Sequence, residues 1–321
     1  MANDFGADTV YHNNGNGTFT DISAKSIGID TKKGMNAEFG DFDNDGLPDI
    51  FVTNITEAYL HECNMLWHNN GDLTFTDMAS DLGVCDTGWG WGGKFLDYDN
   101  DGYLDLMVMN GFISAGKKDY IDILMPIMLD GDIDLSNTMN WPALGDMSFS
   151  GYERKKLFHN VNGLAFEDVS AKAGVNVQTD GRGVIVGDFD NDGREDMLFL
   201  NANQNAILFQ NLTQGGNWIQ IDLEGTKSNR DGIGTRVTAY TADGKLFYRE
   251  TNAGNGFETQ SSPLVHIGLG NHKSIDDLEV VWPSGIVQHF HDVPVNRRFH
   301  LTENADLAEL HLDKRQAGAA K

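Results

Sequence analysis

Three stretches of this chain keep one internal distance. His12 precedes Asp41 by 29 residues, His68 precedes Asp97 by 29, and His159 precedes Asp188 by 29. Each histidine sits in an aromatic-His-Asn triplet, Tyr11–Asn13, Trp67–Asn69 or Phe158–Asn160. Each aspartate opens one acidic template: DFDNDGLPD at Asp41–Asp49, DYDNDGYLD at Asp97–Asp105, DFDNDGRED at Asp188–Asp196. Between triplet and loop a Phe and an Asp recur, as Phe19 and Asp21, Phe75 and Asp77, Phe166 and Asp168. A fixed period of this kind marks a structural unit stacked on copies of itself. Short apolar runs follow the loops at Ile50–Val52, Leu106–Met109 and Met197–Leu200, with the length of buried strands. Short strands with periodic glycine and aromatic cues predict propeller blades.

Within each loop Asp occupies positions 1, 3, 5 and 9, and Gly position 6. Asp41, Asp43, Asp45 and Asp49 form the first set, Asp97, Asp99, Asp101 and Asp105 the second, and Asp188, Asp190, Asp192 and Asp196 the third. The main-chain carbonyl of position 7 (Leu47, Tyr103, Arg194) can join them. Oxygen donors on a tight turn suit Ca²⁺, which takes about 6–8 of them; zinc would want Cys or His. An EF-hand needs Glu at position 12, where this chain has Val52, Val108 and Phe199. A metal-free Asx-turn hairpin is the alternative, but four carboxylates on one turn repel one another without a cation. About three calcium ions are expected.

Acidic side chains number 48 against 23 basic ones in 321 residues, a formal charge of −25. Such a field repels nucleic acid and anionic membranes. No segment approaches the ~20 apolar residues of a membrane span, and the opening Met-Ala-Asn-Asp-Phe-Gly reads as no signal peptide. Cys63 and Cys85 allow either one disulfide or two thiols.

The loops resemble the integrin-type FG-GAP (VCBS-like) repeat, a calcium-stabilised propeller blade. Residues 217–303 resemble the ASPIC/UnbV domain, through NWIQIDLEGTKSNRDGIGTRV (217–237), VHIGLGN (265–271) and VVWPSG (280–285). The resemblance implies extracytoplasmic calcium binding, secreted or periplasmic, and adhesion or interaction. The organisation expected is blades over 1–214, a small β-sandwich-like domain over 215–303 with a hairpin turn at Ala242–Gly244, and a tail over 304–321.

Two features depart from a regular array. The loop that should precede His12 would fall before Met1, leaving about three to three and a half blades. That predicts an open or incomplete propeller, or one completed by another chain such as a homodimer partner. Asp97 to His159 spans 62 residues against 27 for Asp41 to His68, so 35 extra residues lie within 111–156. Tyr120, Ile121, Leu124, Ile127 and Met128 have helical spacing around Pro126, as a helix packed on blade edges or a lid.

The recurrent histidines, with Gln210 as the fourth equivalent, read as structural hydrogen-bonding positions. Trp89 and Trp91 read as packing, against a sugar platform. Asn54, Asn110 and Asn201 read as turn residues or, if they converge, a polar site. Glycines near Asn229–Gly234 suggest a phosphate loop only superficially, since no βαβ context surrounds them. Two functional classes follow: a binding or adhesion module with structural calcium, or a calcium-dependent hydrolase of phosphoesters or activated esters. No GxSxG elbow supports a serine hydrolase.

Overall fold

The computed structural model describes residues 1–310 apart from 5, 31, 131, 135, 136 and 255. The repeats form antiparallel sheets. An outer pair, β1 (Tyr11–Asn13) and β2 (Phe19–Asp21), comes first. Strands β3 (Asn36–Gly40) and β4 (Asp49–Thr53) follow, then a small hairpin, β5 (Thr56–Glu57) and β6 (Leu60–His61), then β7 (Met65–Asn69) and β8 (Phe75–Asp77). Their sheet order is β3-β4-β7-β8. The next blade orders β9 (Gly90–Leu96), β10 (Asp105–Asn110), β11 (Lys156–Asn160) and β12 (Phe166–Asp168) the same way. The third has β13 (Gly181–Gly187), β14 (Asp196–Asn201) and β15 (Ile207–Phe209). Equivalent pairs recur in register: Ile50 faces Trp67, Leu106 faces Phe158, Met197 faces Phe209. The expected apolar runs are therefore second strands, and β4 and β10 are buried along their whole length.

The recurrent Asp after each outer-strand Phe opens a short helix by accepting a backbone N–H two residues on. Asp21 does so for α1 (Ser23–Ser26) and Asp77 for α2 (Ala79–Leu82). The same Asx turn recurs at Asp168. The insertion contributes α3 (Ile121–Met128), with Pro126 inside it, and Asp168 then leads into α4 (Ser170–Ala173). Tyr120 and Leu124 pack with Phe149 against Tyr59, Trp89 and Phe112. The expected helix is present and lies on the blade ends.

Inner strands β3, β9 and β13 approach closely enough to demand glycine. A Cβ on Gly92 would lie 2.7 Å from the Arg182 carbonyl, and one on Gly93 2.8 Å from the Phe51 ring. Beyond β13 the ring is continued by the chain's own segment 256–262. Ser262 N–H donates to Val186 O (2.9 Å), Val186 N–H donates to Ser261 Oγ (3.1 Å), and a Cβ on Gly183 would meet Thr259 Cγ2 at 2.3 Å.

The C-terminal part adds β16 (Asn217–Glu224), β17 (Arg236–Tyr240), β18 (Leu246–Glu250), β19 (Val265–Gly270), β20 (Ser274–Val281), β21 (Val287–Pro294), β22 (Arg297–Thr302) and β23 (Ala308–Leu310). They make two four-stranded sheets, β19-β16-β22-β23 and β18-β17-β20-β21, which share one apolar core that includes Ile219, Val237, Ile267, Leu278, Trp282 and Phe299. Pairing of β22 with β23 carries the fold past the expected boundary at 303. Residues 311–321 of the expected tail lie outside the described residues.

The molecule is thus all-β and propeller-like. Among the described residues three sheets of three or four strands follow the β1–β2 pair in the repeat region, and two four-stranded sheets make the C-terminal part. Cys63 and Cys85 are joined by a disulfide, with Cα atoms 4.6 Å apart. Among the described residues no helix is long and apolar enough to cross a membrane.

Just before the glycine turn at Asn229–Gly234, the backbone holds a carboxylate. Glu303 Oε2 accepts the backbone N–H groups of Thr226 (2.7 Å), Lys227 (2.5 Å) and Ser228 (2.8 Å), and Ser228 Oγ donates to Oε1 (2.9 Å). The backbone there is an anion nest, filled by the chain's own carboxylate.

Candidate functional site

Each acidic loop joins an inner strand to the second strand of its blade, and all three are built alike. The position-1 carboxylate accepts two backbone N–H groups. Oδ1 of Asp41, Asp97 and Asp188 takes the position-5 N–H at 3.1, 3.0 and 2.9 Å; Oδ2 takes the glycine N–H at 2.9, 3.0 and 2.9 Å. Asp45, Asp101 and Asp192 accept the N–H of Leu47, Tyr103 and Arg194. These bonds wind the turn. It passes through left-handed backbone at Asn44, Asn100 and Asn191 and at Gly46, Gly102 and Gly193, residues that tolerate it.

The position-9 carboxylate is held from two sides. Asp49, Asp105 and Asp196 accept the position-2 N–H through Oδ2, at 3.1, 3.1 and 3.0 Å. Through Oδ1 they accept the N–H of Asn69, Asn160 and Asn211, at 2.9, 2.8 and 2.7 Å. Each of these asparagines also donates Nδ2 to a position-8 carbonyl, of Pro48, Leu104 or Glu195. The recurrent Asn of the triplet therefore pins the loop's closing residue, a role not assigned from the sequence although the repeat displayed it. The residue before it faces the loop as well. His68 Nδ1 stands 3.3 Å from both Asp43 and Asp49, His159 Nδ1 is 3.1 Å from Asp105 and 3.5 Å from Asp99, and Gln210 donates to Asp190 at 2.6 Å.

The side chains converge as a cation would need. Ligand atoms of Asp41, Asp43 and Asp45, of Asp97, Asp99 and Asp105, and of Asp188, Asp190 and Asp196 lie within 4.8 Å of one another in each set. Asp99 Oδ1 and Asp190 Oδ1 are buried atoms with no hydrogen-bond partner among the described residues. Burial pushes the carboxyl of Asp41 up to about 7, Asp49 to about 8 and Asp105 to about 7, with neighbouring aspartates adding to each rise. Buried like charges lacking a counter-charge are costly. The donors are hard oxygens, so these residues fit calcium. Leu47, Tyr103 and Arg194 occupy position 7, where the backbone N–H bonds the position-5 carboxylate.

The C-terminal sheets cover the loops. Asn44 Nδ2 donates to Gly102 O (3.2 Å), and Asn100 Nδ2 donates to Gly193 O (3.0 Å), so each loop bonds the next. At the end of the series Arg298 Nη1 donates to Asn191 Oδ1 (2.9 Å), and Gln220 Nε2 donates to Asp188 Oδ2 (3.1 Å). Backbone joins backbone where Gly216 N–H meets Asp99 O and Gly270 N–H meets Asn100 O, both at 2.8 Å. His266 is fully enclosed between Asn100 Oδ1 (2.7 Å) and Gln220 Nε2 (3.2 Å), and burial pushes its imidazole down to about 3. None of these covering residues carried a signal in spacing, and Trp218, which packs on Gly193, stood only in the stretch that carries the family resemblance.

Other sequence candidates are not brought to the loops. Asn54, Asn110 and Asn201 bond within their own surroundings, to Cys63 O, to Thr87 O and Arg154 O, and to Asn205 O. Trp89 stacks with Trp91 and with Phe112, and the Arg182 guanidinium lies 4.2 Å over Trp91. A cleft of about 510 Å³ beside the insertion, lined by Tyr59, Lys118, Ser150 and Glu153 among others, lies past the Gly90 end of β9. The loop begins at the other end, six steps away at ~3.3 Å each, or about 20 Å.

Comparison with known proteins agrees with this architecture. A family model described as FG-GAP-like repeat matches residues 1–52 and 58–108, and one described as ASPIC and UnbV matches residues 225–308. Cartilage acidic protein 1 of Homo sapiens is 26% identical over 248 residues, covering 69% of this chain and 37% of that protein. The Mus musculus protein is 24% identical over 291 residues (83% and 44%), and that of Xenopus tropicalis 25% over 312 (88% and 39%). The chain spans less than half the length of these relatives.

Proposed function

Because this chain carries FG-GAP-like repeats followed by an ASPIC/UnbV domain, we propose that it is a calcium-loaded binding module whose ions are structural. The observation that carries this reading is the loop geometry: three converging carboxylates in each of three equivalent loops, with unpartnered oxygens on Asp99 and Asp190 among the described residues. When bound, calcium supplies the counter-charge that these buried groups lack. Asp41, Asp97 and Asp188 would hold it together with the carboxylates at positions 3, 5 and 9, and Leu47, Tyr103 and Arg194 would add main-chain carbonyls. Elemental analysis of exhaustively desalted protein tests this, with three equivalents of calcium expected. Fewer than two would overturn the reading.

Covering of the loops favours a structural role over the hydrolase alternative. Asp41 and Asp97 are 1% exposed, and the insertion that might have supplied substrate contacts lies at the far end of β9. Assays of activated phosphoesters and carboxylic esters, with calcium and with chelator, should give no calcium-dependent turnover. The Cys63–Cys85 disulfide supports an extracytoplasmic setting, because such bonds persist in oxidising compartments. A protein partner, in the simplest case a second copy, would use the β1–β2 pair. Both strands are exposed throughout, with Tyr11 and Phe19 on the surface. Light scattering across a concentration series tests association, and a Tyr11→Lys/Phe19→Lys variant should abolish it.

A further inference from the structure

The C-terminal sheets carry a cluster of metal-ligating side chains that lies apart from the acidic loops. It sits on β20 and β21, and β21 is the edge strand of its sheet. In the register Asp277 faces His291 and Glu279 faces His289. Residues two apart on a strand share a face, so two histidines and two acids form one block of four. Directly opposed residues on neighbouring strands have Cβ atoms about 4.5–5.5 Å apart, within reach of one shared ion.

That face is the outer one. Ile275, Leu278, Val280 and Val293 belong to the core, and Phe290 packs against it. Between Ile275 and Leu278 two residues, Asp276 and Asp277, stand outside the core; between Phe290 and Val293 two more do, His291 and Asp292. Regular strands alternate. Here both break step at the same place, and Asp292 takes left-handed backbone with φ 55°, which is uncommon outside glycine. Without the break, alternation from Ile275 and Val293 would turn Asp277 and His291 inward. The distortion brings them out together.

The donors are already grouped. Asp277 Oδ1 lies 3.2 Å from His289 Nδ1 and 3.4 Å from His291 Nδ1, and Oδ2 lies 3.0 Å from His289 Nδ1. Glu279 Oε2 is 3.7 Å from His289 Nε2, and His291 Nδ1 is also 3.3 Å from Asp276 O. Ligand atoms ~2.0–2.1 Å from a tetrahedral zinc ion stand about 3.3 Å from one another. The His289 and His291 side chains are 45% and 70% exposed, so they can turn toward an ion without disturbing the core and leave room for water on it.

We propose that His289, His291 and Asp277 hold one divalent transition-metal ion of the zinc class, with Glu279 beside it. Paired imidazoles set this site apart from the acidic loops, whose oxygens fit calcium; nitrogen ligands suit zinc, copper and nickel. His300 supplies the contrast. It also stands between two carboxylates, Asp222 at 3.0 Å and Glu224 at 3.3 Å, but the residues two places along its strand are Arg298 and Thr302.

Isothermal titration of the full chain with zinc chloride, in calcium-containing buffer at physiological salt, tests the inference. Calcium competes for the acidic loops, and salt screens diffuse attraction to the acidic surface. One saturable zinc site is expected. His289→Asn/His291→Asn should weaken it by roughly tenfold or more, and His300→Asn should leave it unchanged. Both altered side chains are exposed, so the double variant should keep the wild-type circular dichroism spectrum. Copper(II) titrated in place of zinc should show nitrogen hyperfine structure from two imidazoles in its electron paramagnetic resonance spectrum, lost in the double variant. Absence of saturable zinc binding, full affinity in the double variant, or an equal loss in His300→Asn would each overturn the proposal.

Discussion

Arg298 Nη2 lies 3.2 Å from Asp188 Oδ2, and both side chains are nearly closed to solvent. The carboxylate that opens the third acidic loop is thus shared between the loop and the C-terminal sheets. Its Oδ1 stays with the loop, while Oδ2 accepts the loop's Gly193 N–H and also meets Gln220 and Arg298. Earlier loops are buttressed by the next loop through Asn44 and Asn100; the last is buttressed by Arg298, which takes the place of a further blade.

One consequence concerns unfolding. Taken alone, the position of all loops before residue 200 suggests that chelation would melt the blades first and leave the second domain standing. The shared residues argue for one joint transition instead. Ions that bind only the folded state add their binding free energy to it, and their loss loosens loop and cover together. Calorimetry with and without chelator should show a single transition moved down. Arg298→Met should lower stability by about 3 kcal/mol, the lower end for breaking a buried pair, since Gly193 and Gln220 still serve Asp188. Two separate transitions in chelator would count against the coupling.

Much of this was legible in the sequence, and the limits have physical causes. The loops declared themselves because Asp recurs at every other position around a fixed glycine in all three. The α3 segment declared itself through helical spacing. The segment beside β13 did not, because 256–262 joins that strand through one backbone bond and a serine hydroxyl, with no strand periodicity. The cover did not, because Arg249, His266 and Arg298 act through tertiary contacts that leave no local pattern. Asn69, Asn160 and Asn211 were visible as repeats, but their partner, the position-9 carboxylate, lies across the sheet.

The loop glycines should differ in tolerance. All three have positive φ, at 89°, 97° and 87° for Gly46, Gly102 and Gly193. A Cβ on Gly193 would fall 1.8 Å from the Trp218 ring, and one on Gly102 2.3 Å from Phe247; on Gly46 the nearest atom, of Leu246, is 3.7 Å away. Gly46→Ala therefore meets only the left-handed backbone cost of about 1–2 kcal/mol. Gly193→Ala and Gly102→Ala must also displace a ring seated in the interface, and denaturant melts should rank them well below Gly46→Ala. Trp218→Ala should partly rescue Gly193→Ala. Equal losses at the three sites would refute the close approach.

Glu303 should give the C-terminal sheets an acid-sensitive clasp. Burial acts to raise its carboxyl, but the Ser284 hydroxyl and the backbone of Ser228, Lys227 and Thr226 outweigh it and hold the group well below the ordinary 4.5. For a depressed carboxyl the stabilisation is complete above the unfolded value and fades as pH falls toward the folded one. Wild type should therefore exceed Glu303→Gln in stability above about pH 5, and the gap should narrow steadily below 4.5. A gap that stays constant from pH 7 down to pH 2 would show that charge plays no part in filling the nest.

The histidines facing the loops should be replaceable by glutamine. His68 and His159 meet the position-3 and position-9 carboxylates of their loops, and at the third loop Gln210 bonds the same position-3 side chain at 2.6 Å. His159 and Gln210 both bond a loop carboxylate from that strand position, so an amide can stand where the imidazole does. An amide donor makes the bond without a proton to lose. His68→Gln/His159→Gln should retain the wild-type calcium stoichiometry and melt within about 1 kcal/mol of it, the size of one hydrogen bond. His68→Leu/His159→Leu, which removes the donor while keeping the bulk, should bind calcium more weakly. A glutamine variant that lost metal as fully as the leucine one would show that the imidazoles themselves take part, either as ligands or through their charge.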